Sequence, residues 1–299
     1  MSSRNTARRD FFFVVAASLC WGTVGLANQI MYTISSANAL SLAFWRLCLS
    51  VPFFFLPAWF LLGRNLFRIK LRDFGLMILM GILQGLYQFC YSAAIPSTGV
   101  IVATLIAICV APVIVAFVAT LIIRERLART TLLALISALG GTILLVAAHS
   151  HPGTTTTISL AGVLLALLSA AGYATFILCG QGFTRHYHSL QINAIAFGAG
   201  AFLLLLFSLS TRLVSTYSSG GWLILLYLGS VPTALGYALF QTGMRSLSAT
   251  VTSIVTLCEP LAAALLAWIF LGEQLTPLGF LGSGLLIAAM ALILLMPGK

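Results

Sequence analysis

The sequence predicts an all-α membrane protein: ten transmembrane helices in two inverted five-helix repeats, with both termini cytoplasmic. Three observations carry that prediction. Of 299 residues, 61% are hydrophobic and 7% charged, against about 25% charged in soluble domains. Uncharged windows of about 20 residues, enough to cross about 30 Å of hydrocarbon as a helix, recur along the chain. The longest polar break, HSHPGTTTTIS at 149–159, leaves five such windows on each side.

Charges, Gly/Pro positions and polar clusters bound the spans in order. In the first half they fall near 11–33, 38–62, 73–95, 98–122 and 130–148; in the second near 159–182, 190–211, 220–243, 247–271 and 276–296. The tightest breaks are IPSTG and MRSLSA. The N-terminal MSSRNTARRD with the apolar stretch after it has the outline of a signal peptide. That stretch is too long for an h-region and lacks a small-x-small cleavage site, so it reads as a retained first span. Cys20, Cys48, Cys90, Cys109, Cys179 and Cys258 all lie in apolar segments with no CxxC spacing, and read as small apolar fillers.

Orientation follows from the basic residues, which concentrate in cytoplasmic loops. With the N-terminus inside, the inner segments hold Arg4, Arg8, Arg9, Arg64, Arg68, Lys70, Arg72, Arg124, Arg126, Arg129, Arg185, Arg245 and Lys299, against Arg212 alone outside. The formal charge of +10 is thus orientation information. These cations would face anionic headgroups, and nucleic acid is not expected as a partner.

An odd number of spans per half requires a second repeat to run through the membrane upside down. A slide of 148 residues lays APVIVAFVATLIIRERL from 111 on EPLAAALLAWIFLGEQL from 259, matching Pro112 with Pro260, Ala116 with Ala264, Ala119 with Ala267, Glu125 with Glu273 and Leu127 with Leu275. A slide of 152 lays WGT at 21–23 on YAT at 173–175. The expected units are residues 1–148 and 159–299, joined by an extracytoplasmic connection at 149–158. Pro112 and Pro260 read as architectural helix bends shared by the fourth span of each half.

These segments resemble the paired signatures of the drug/metabolite transporter superfamily, in its ten-helix EamA-type branch. CWGTVGLANQ in the first span and FWR in the second resemble it too, so the likeness covers nearly the whole chain. Within that branch the chain looks most like the YddG-type exporters of aromatic amino acids. The resemblance implies a bacterial inner-membrane exporter, cytoplasmic termini and a central substrate cavity between the halves. Two departures separate the halves: Ala111 stands where the second has Glu259, and Arg124 where it has Gly272.

Polar side chains inside spans should face the bundle or a watery path. In the third span, GILQGLYQFCYSA, Gln84 and Gln88 are four residues apart and share a face, as do Tyr87 and Tyr91. Amides and phenols together suit a zwitterion with an aromatic side chain, whose polar end meets amides while its apolar end stacks on rings. The same residues also serve as ordinary interhelical hydrogen-bonding partners. Trp21 and, two turns on, Asn28 lie along one side of the first span, and the repeat places Tyr173 opposite Trp21. Tyr237 and Gln241 repeat the four-residue pairing in the eighth span. Together Trp21, Asn28, Gln84, Tyr87, Gln88, Tyr91, Tyr173, Tyr237 and Gln241 are the candidate substrate-binding residues.

Two charges fall inside spans, Arg46 and Glu259. An ionised group at the bilayer centre costs from about 3 kcal/mol upward, so each needs a partner, water or, for the glutamate, a proton. Glu259 is the only mid-span carboxylate. It is a candidate coupling site, or a structural acid bonding backbone donors freed by Pro260. Arg46 has three open roles: snorkelling outward, pairing with Glu259, or holding a substrate carboxylate.

The function expected is a secondary transporter exporting small metabolites, above all aromatic or bulky neutral amino acids, by alternating access. Alternatives are export of drugs or other metabolites, uptake in place of export, or a non-transporting membrane scaffold. No Walker A pattern is present, so ATP hydrolysis by this chain is not expected. No embedded Asp or His pair supports a lipid-directed enzyme. No catalytic residue, cofactor, metal or obligate protein partner is expected, and His149, His151, His186 and His188 read as solvated loop residues.

Overall fold

The computed structural model describes residues 3–98, 100–122, 124, 127–148, 159–184, 186–208, 213–271 and 276–295. The expected connection at 149–158 and the matched pair Glu125 and Glu273 lie outside them. Among these residues twelve α-helices form: α1 (Ser3–Ile34), α2 (Ala39–Leu62), α3 (Leu71–Thr98), α4 (Val100–Leu121), α5 (Arg129–Ala148), α6 (Leu160–Phe183), α7 (Ser189–Ser208), α8 (Ser219–Leu228), α9 (Gly236–Gly243), α10 (Ala249–Val255), α11 (Cys258–Leu271) and α12 (Pro277–Leu295). A 3-10 turn, Gly63–Phe67, follows α2, and a π-helical turn, Gly229–Leu235, joins α8 to α9.

Among the described residues these helices make ten segments long and apolar enough to cross a membrane. The α8–α9 unit forms one segment, Ser219–Gly243, and α10–α11 another, Ala249–Phe270. Segment ends follow local chemistry. Asn38, Ser159, Ser218 and Ser248 each accept a backbone N–H in the first turn of the helix they precede, satisfying a donor that the helix leaves free. The eighth and ninth crossings, expected to be continuous, are both interrupted. The physical causes are at the site described below.

Helix pairing is regular. α3 packs on α6 and α7, while the eighth crossing packs on α1 and α2; α4 packs on α6, while α11 packs on α1. α2 meets α7, α4 meets α10, and α5 meets α12. Exchanging each crossing with the one five places away leaves these pairings unchanged, whereas the contacts of α3 with α4 and of α5 with α10 and α11 have no exchanged counterpart of comparable extent among the described residues. Close approach is built on glycine where α5 meets α12: a Cβ at Gly141 would stand 2.7 Å from the Gly282 carbonyl oxygen, and one at Gly282 2.6 Å from the Gly141 carbonyl oxygen. Small residues let backbones meet where lipid supplies no hydrophobic drive for association. Large apolar side chains, such as Phe117, Phe202 and Phe270, stay exposed on the periphery, as expected where the solvent is hydrocarbon.

Candidate functional site

The eighth crossing explains how a buried arginine is held. Pro232 has no N–H, so the Leu228 carbonyl one turn earlier loses its helical partner. The backbone widens over Gly229–Leu235, and the Thr233 hydroxyl donates to that carbonyl at 2.7 Å. Thr233, fully buried, in turn accepts from Arg46 Nε at 2.9 Å. Of the three roles open to Arg46, the direct ion pair with Glu259 is not formed: the only ion pair among the described residues is Arg9 with Asp10, 3.1 Å. The two charges still lie within electrostatic reach of each other. Thr233 was not singled out from sequence; the available signal was a proline followed by a hydroxyl residue in mid-span.

The ninth crossing sets the glutamate. α10 ends at Val255 and α11 restarts at Cys258, with the Glu259 N–H donating to the Thr256 carbonyl at 3.0 Å. Pro260 thus sits in the first turn of α11, where a missing N–H costs nothing. Its repeat counterpart Pro112 lies inside the uninterrupted α4. The two prolines therefore occupy different settings, a helix restart in one half and an unbroken helix in the other. Gly22 lets α1 close on this restart, since a Cβ there would stand 2.5 Å from Ala262 Cβ and 3.1 Å from the Glu259 carbonyl oxygen. The Glu259 side chain is half-buried, within electrostatic reach of Arg46 and of the Tyr87, Tyr91, Tyr173 and Tyr237 hydroxyls.

Two aromatic couples flank these charges. Trp21 of α1 meets Tyr237 of α9 with ring centroids 4.8 Å apart, and Tyr173 of α6 stacks on Tyr87 of α3 at 5.2 Å. Exchanging crossings five places apart turns one couple into the other. Trp21 and Tyr173, matched by the repeat, therefore each stand against a tyrosine of a second helix. Gln84 Nε2 donates to the Tyr237 hydroxyl at 2.8 Å and ties the couples together. Phe197 and Phe176 close around Tyr237 at 4.6 and 5.7 Å. Tyr87 and Tyr173 remain partly accessible, whereas Trp21, Gln84 and Tyr237 are buried.

The other candidates divide. Tyr91 pairs its hydroxyl with Thr104 at 2.8 Å, and Tyr173 meets the Thr256 side chain. Gln88 is buried on the same helix. Gln241 lies over Gly180, whose missing side chain makes room for its amide; that amide, fully buried, has no partner among the described residues. Asn28 is half-buried, and no hydrogen bond among the described residues joins it to the aromatic couples. No group of three or more His, Cys, Asp or Glu among the described residues could hold a metal ion.

The chain as a whole resembles known proteins. The model of the EamA-like transporter family matches twice, at residues 9–147 and 160–295. The uncharacterized transporter YwfM of Bacillus subtilis is 30% identical over 289 residues, covering 96% of this chain and 94% of its own. The uncharacterized inner membrane transporter YicL of Salmonella typhimurium is 27% identical over 291 residues, covering 96% of each chain. A solved crystal structure shares the fold with TM-score 0.82 over 95% of both chains at 18% identity. With two family matches that together span nearly all of a ten-crossing chain, this multi-pass membrane protein belongs to the EamA-like transporter family.

Proposed function

We propose that the chain is a secondary transporter of the bacterial inner membrane that exports aromatic or bulky neutral amino acids by alternating access, as the YddG-type exporters do. The observation that carries this reading is the central juxtaposition of the Arg46 guanidinium and the Glu259 carboxyl group, not bonded to each other and flanked by the Trp21–Tyr237 and Tyr87–Tyr173 couples. A zwitterion complements that arrangement. Its carboxylate pairs with the guanidinium, its ammonium with the carboxylate, and its ring stacks on the accessible faces of Tyr87 and Tyr173. Such a ligand also removes the cost of two separated charges in a poorly solvated site.

The two family matches and the exchange of helix neighbours and aromatic couples favour two repeats. Five crossings per repeat then require them to be inverted, with both termini cytoplasmic on the side richer in Lys and Arg. Alternating access is rocking of one repeat against the other around the midplane site.

Proteoliposomes test this. Labelled tryptophan or phenylalanine should cross faster than in empty vesicles. Tryptophanamide, lacking the carboxylate, and N-acetyltryptophan, lacking the ammonium, should each compete at least about tenfold less well, the cost of one charge-assisted bond. No amino acid crossing faster than in empty vesicles would overturn the substrate assignment.

A further inference from the structure

A cleft of about 280 Å³ opens on the outer surface of the bundle, away from the central charges, where α2, the Gly63–Phe67 turn, α3 and α7 meet. Phe55, Phe67, Ile69, Phe74, Ala194 and Ile195 line it. Its polar member, Gln191, is already engaged, donating to the Leu66 carbonyl at 2.6 Å. The floor is therefore apolar. Phe55 lies seven residues before the end of α2 and Ile195 six residues into α7, so the cleft reaches about 10 Å from the helix ends into the hydrocarbon.

Its rim has the opposite character. Arg64, Arg68, Lys70 and Arg72 are all exposed, and none is in an ion pair among the described residues. The only acid between 63 and 74, Asp73, accepts the Tyr187 hydroxyl at 2.6 Å. Lys70 N–H donates to the same hydroxyl at 3.4 Å, which ties the turn to the start of α7 and holds the two walls in place. On the outer face Trp59 stands between Phe55 and Phe67, at 6.3 and 5.9 Å, the headgroup-level position such rings favour.

We infer that this cleft binds one anionic phospholipid, an acyl chain in the slot and the phosphate among Arg64, Arg68, Lys70 and Arg72. The charge complementarity selects that occupant. Four unpaired cations suit a lipid with net negative charge, whereas a zwitterionic headgroup carries its own counter-cation. An apolar slot reaching hydrocarbon depth adds a requirement that a free phosphate ester does not meet. Because the site bridges α2, α3 and α7, lipid there fixes the end of the bundle where both halves touch.

The test uses the purified full chain in detergent, read by native mass spectrometry and thermal unfolding. Phosphatidylglycerol should be retained as a single adduct and should stabilise at a concentration at least about tenfold below that of phosphatidylcholine with the same chains. Arg68→Gln with Lys70→Gln, which leaves the slot intact, and Ala194→Phe, which fills a partly exposed slot and leaves the charges, should each abolish that preference. Glycerol 3-phosphate in hundredfold excess should not displace the adduct. Equal effects of both lipids, displacement by glycerol 3-phosphate, or undiminished preference in folded Ala194→Phe would overturn the site. The charge pair of variants keeps the test decisive should the slot variant not fold.

Discussion

Gln84 of α3 donates to the Tyr237 hydroxyl of α9 at 2.8 Å, across 153 residues of sequence and from one half of the chain to the other. Both residues are buried, so the bond forms without competition from water. Gln84→Leu and Tyr237→Phe should each destabilise by about 1–3 kcal/mol, because the abandoned partner stays buried. In a double-mutant cycle followed by unfolding in detergent, the coupling should be about 0.5–1.5 kcal/mol. Strictly additive losses would show that the two residues do not act together.

The Thr233 hydroxyl serves two partners at once, the Leu228 carbonyl and Arg46. Thr233→Val keeps the shape and removes both bonds, so it should cost about 1–3 kcal/mol and weaken substrate binding through a displaced Arg46. Thr233→Ser restores the hydroxyl and should recover most of both. A serine variant as impaired as the valine variant would mean that the methyl, and not the hydroxyl, matters here.

Glu259→Gln keeps the volume of the side chain and removes its charge. It should raise the half-saturating concentration for a zwitterionic amino acid by about tenfold or more and abolish any response of flux to an imposed pH gradient. Wild-type gradient dependence persisting in this variant would remove Glu259 from proton coupling, and unchanged affinity would remove it from ammonium binding.

Span number and approximate limits were readable because hydropathy reports the solvent directly, and the ten apolar runs correspond to ten segments, among the described residues, long and apolar enough to cross a membrane. The matched Trp21 and Tyr173 likewise became members of equivalent couples. What sequence did not yield was the interruption of the eighth and ninth crossings. The π turn depends on a carbonyl freed by Pro232 and on a guanidinium arriving from 187 residues away, and no local pattern encodes that partner. The restart at Cys258 brings Ala262 and the Glu259 carbonyl against α1, an approach that the glycine at position 22 leaves room for and that no local pattern encodes. Of the site residues proposed from sequence, those with rings came together most clearly, whereas Asn28, chosen by its helical spacing from Trp21, makes no such contact among the described residues.

Gly141→Ala places a methyl carbon 2.7 Å from the Gly282 carbonyl oxygen, so it should destabilise by about 1–3 kcal/mol through overpacking. Gly284→Ala, two residues from Gly282 on α12 and facing open space, should be neutral or stabilising by up to about 1 kcal/mol. Thermal unfolding of both variants in one detergent checks the contrast, and equal effects would count against the seam.

Hydrogen bonding to Asp73 raises the Tyr187 phenol above its usual range, with partial burial adding to the effect. A group whose proton is held more tightly in the folded state contributes stability that is fully present below the unfolded value of about 10 and disappears as pH rises through the folded value. Tyr187→Phe should therefore be less stable than wild type by a constant margin below about pH 9, and the margin should shrink above about pH 10. A margin independent of pH up to 11 would exclude the hydrogen bond as its source.

The α5–α12 seam also sets a timetable for biogenesis. α5 is complete at Ala148, but the residues that cover its glycine face begin at Pro277, almost 130 residues later. At about 5–20 residues per second, synthesis leaves that face uncovered for roughly 6–26 s. During that interval α5 must stay in the bilayer with its natural neighbour unmade, and a chain stopped before α12 would leave it so permanently. α12 thus completes the packing of α5, which waits for a segment made almost 130 residues later.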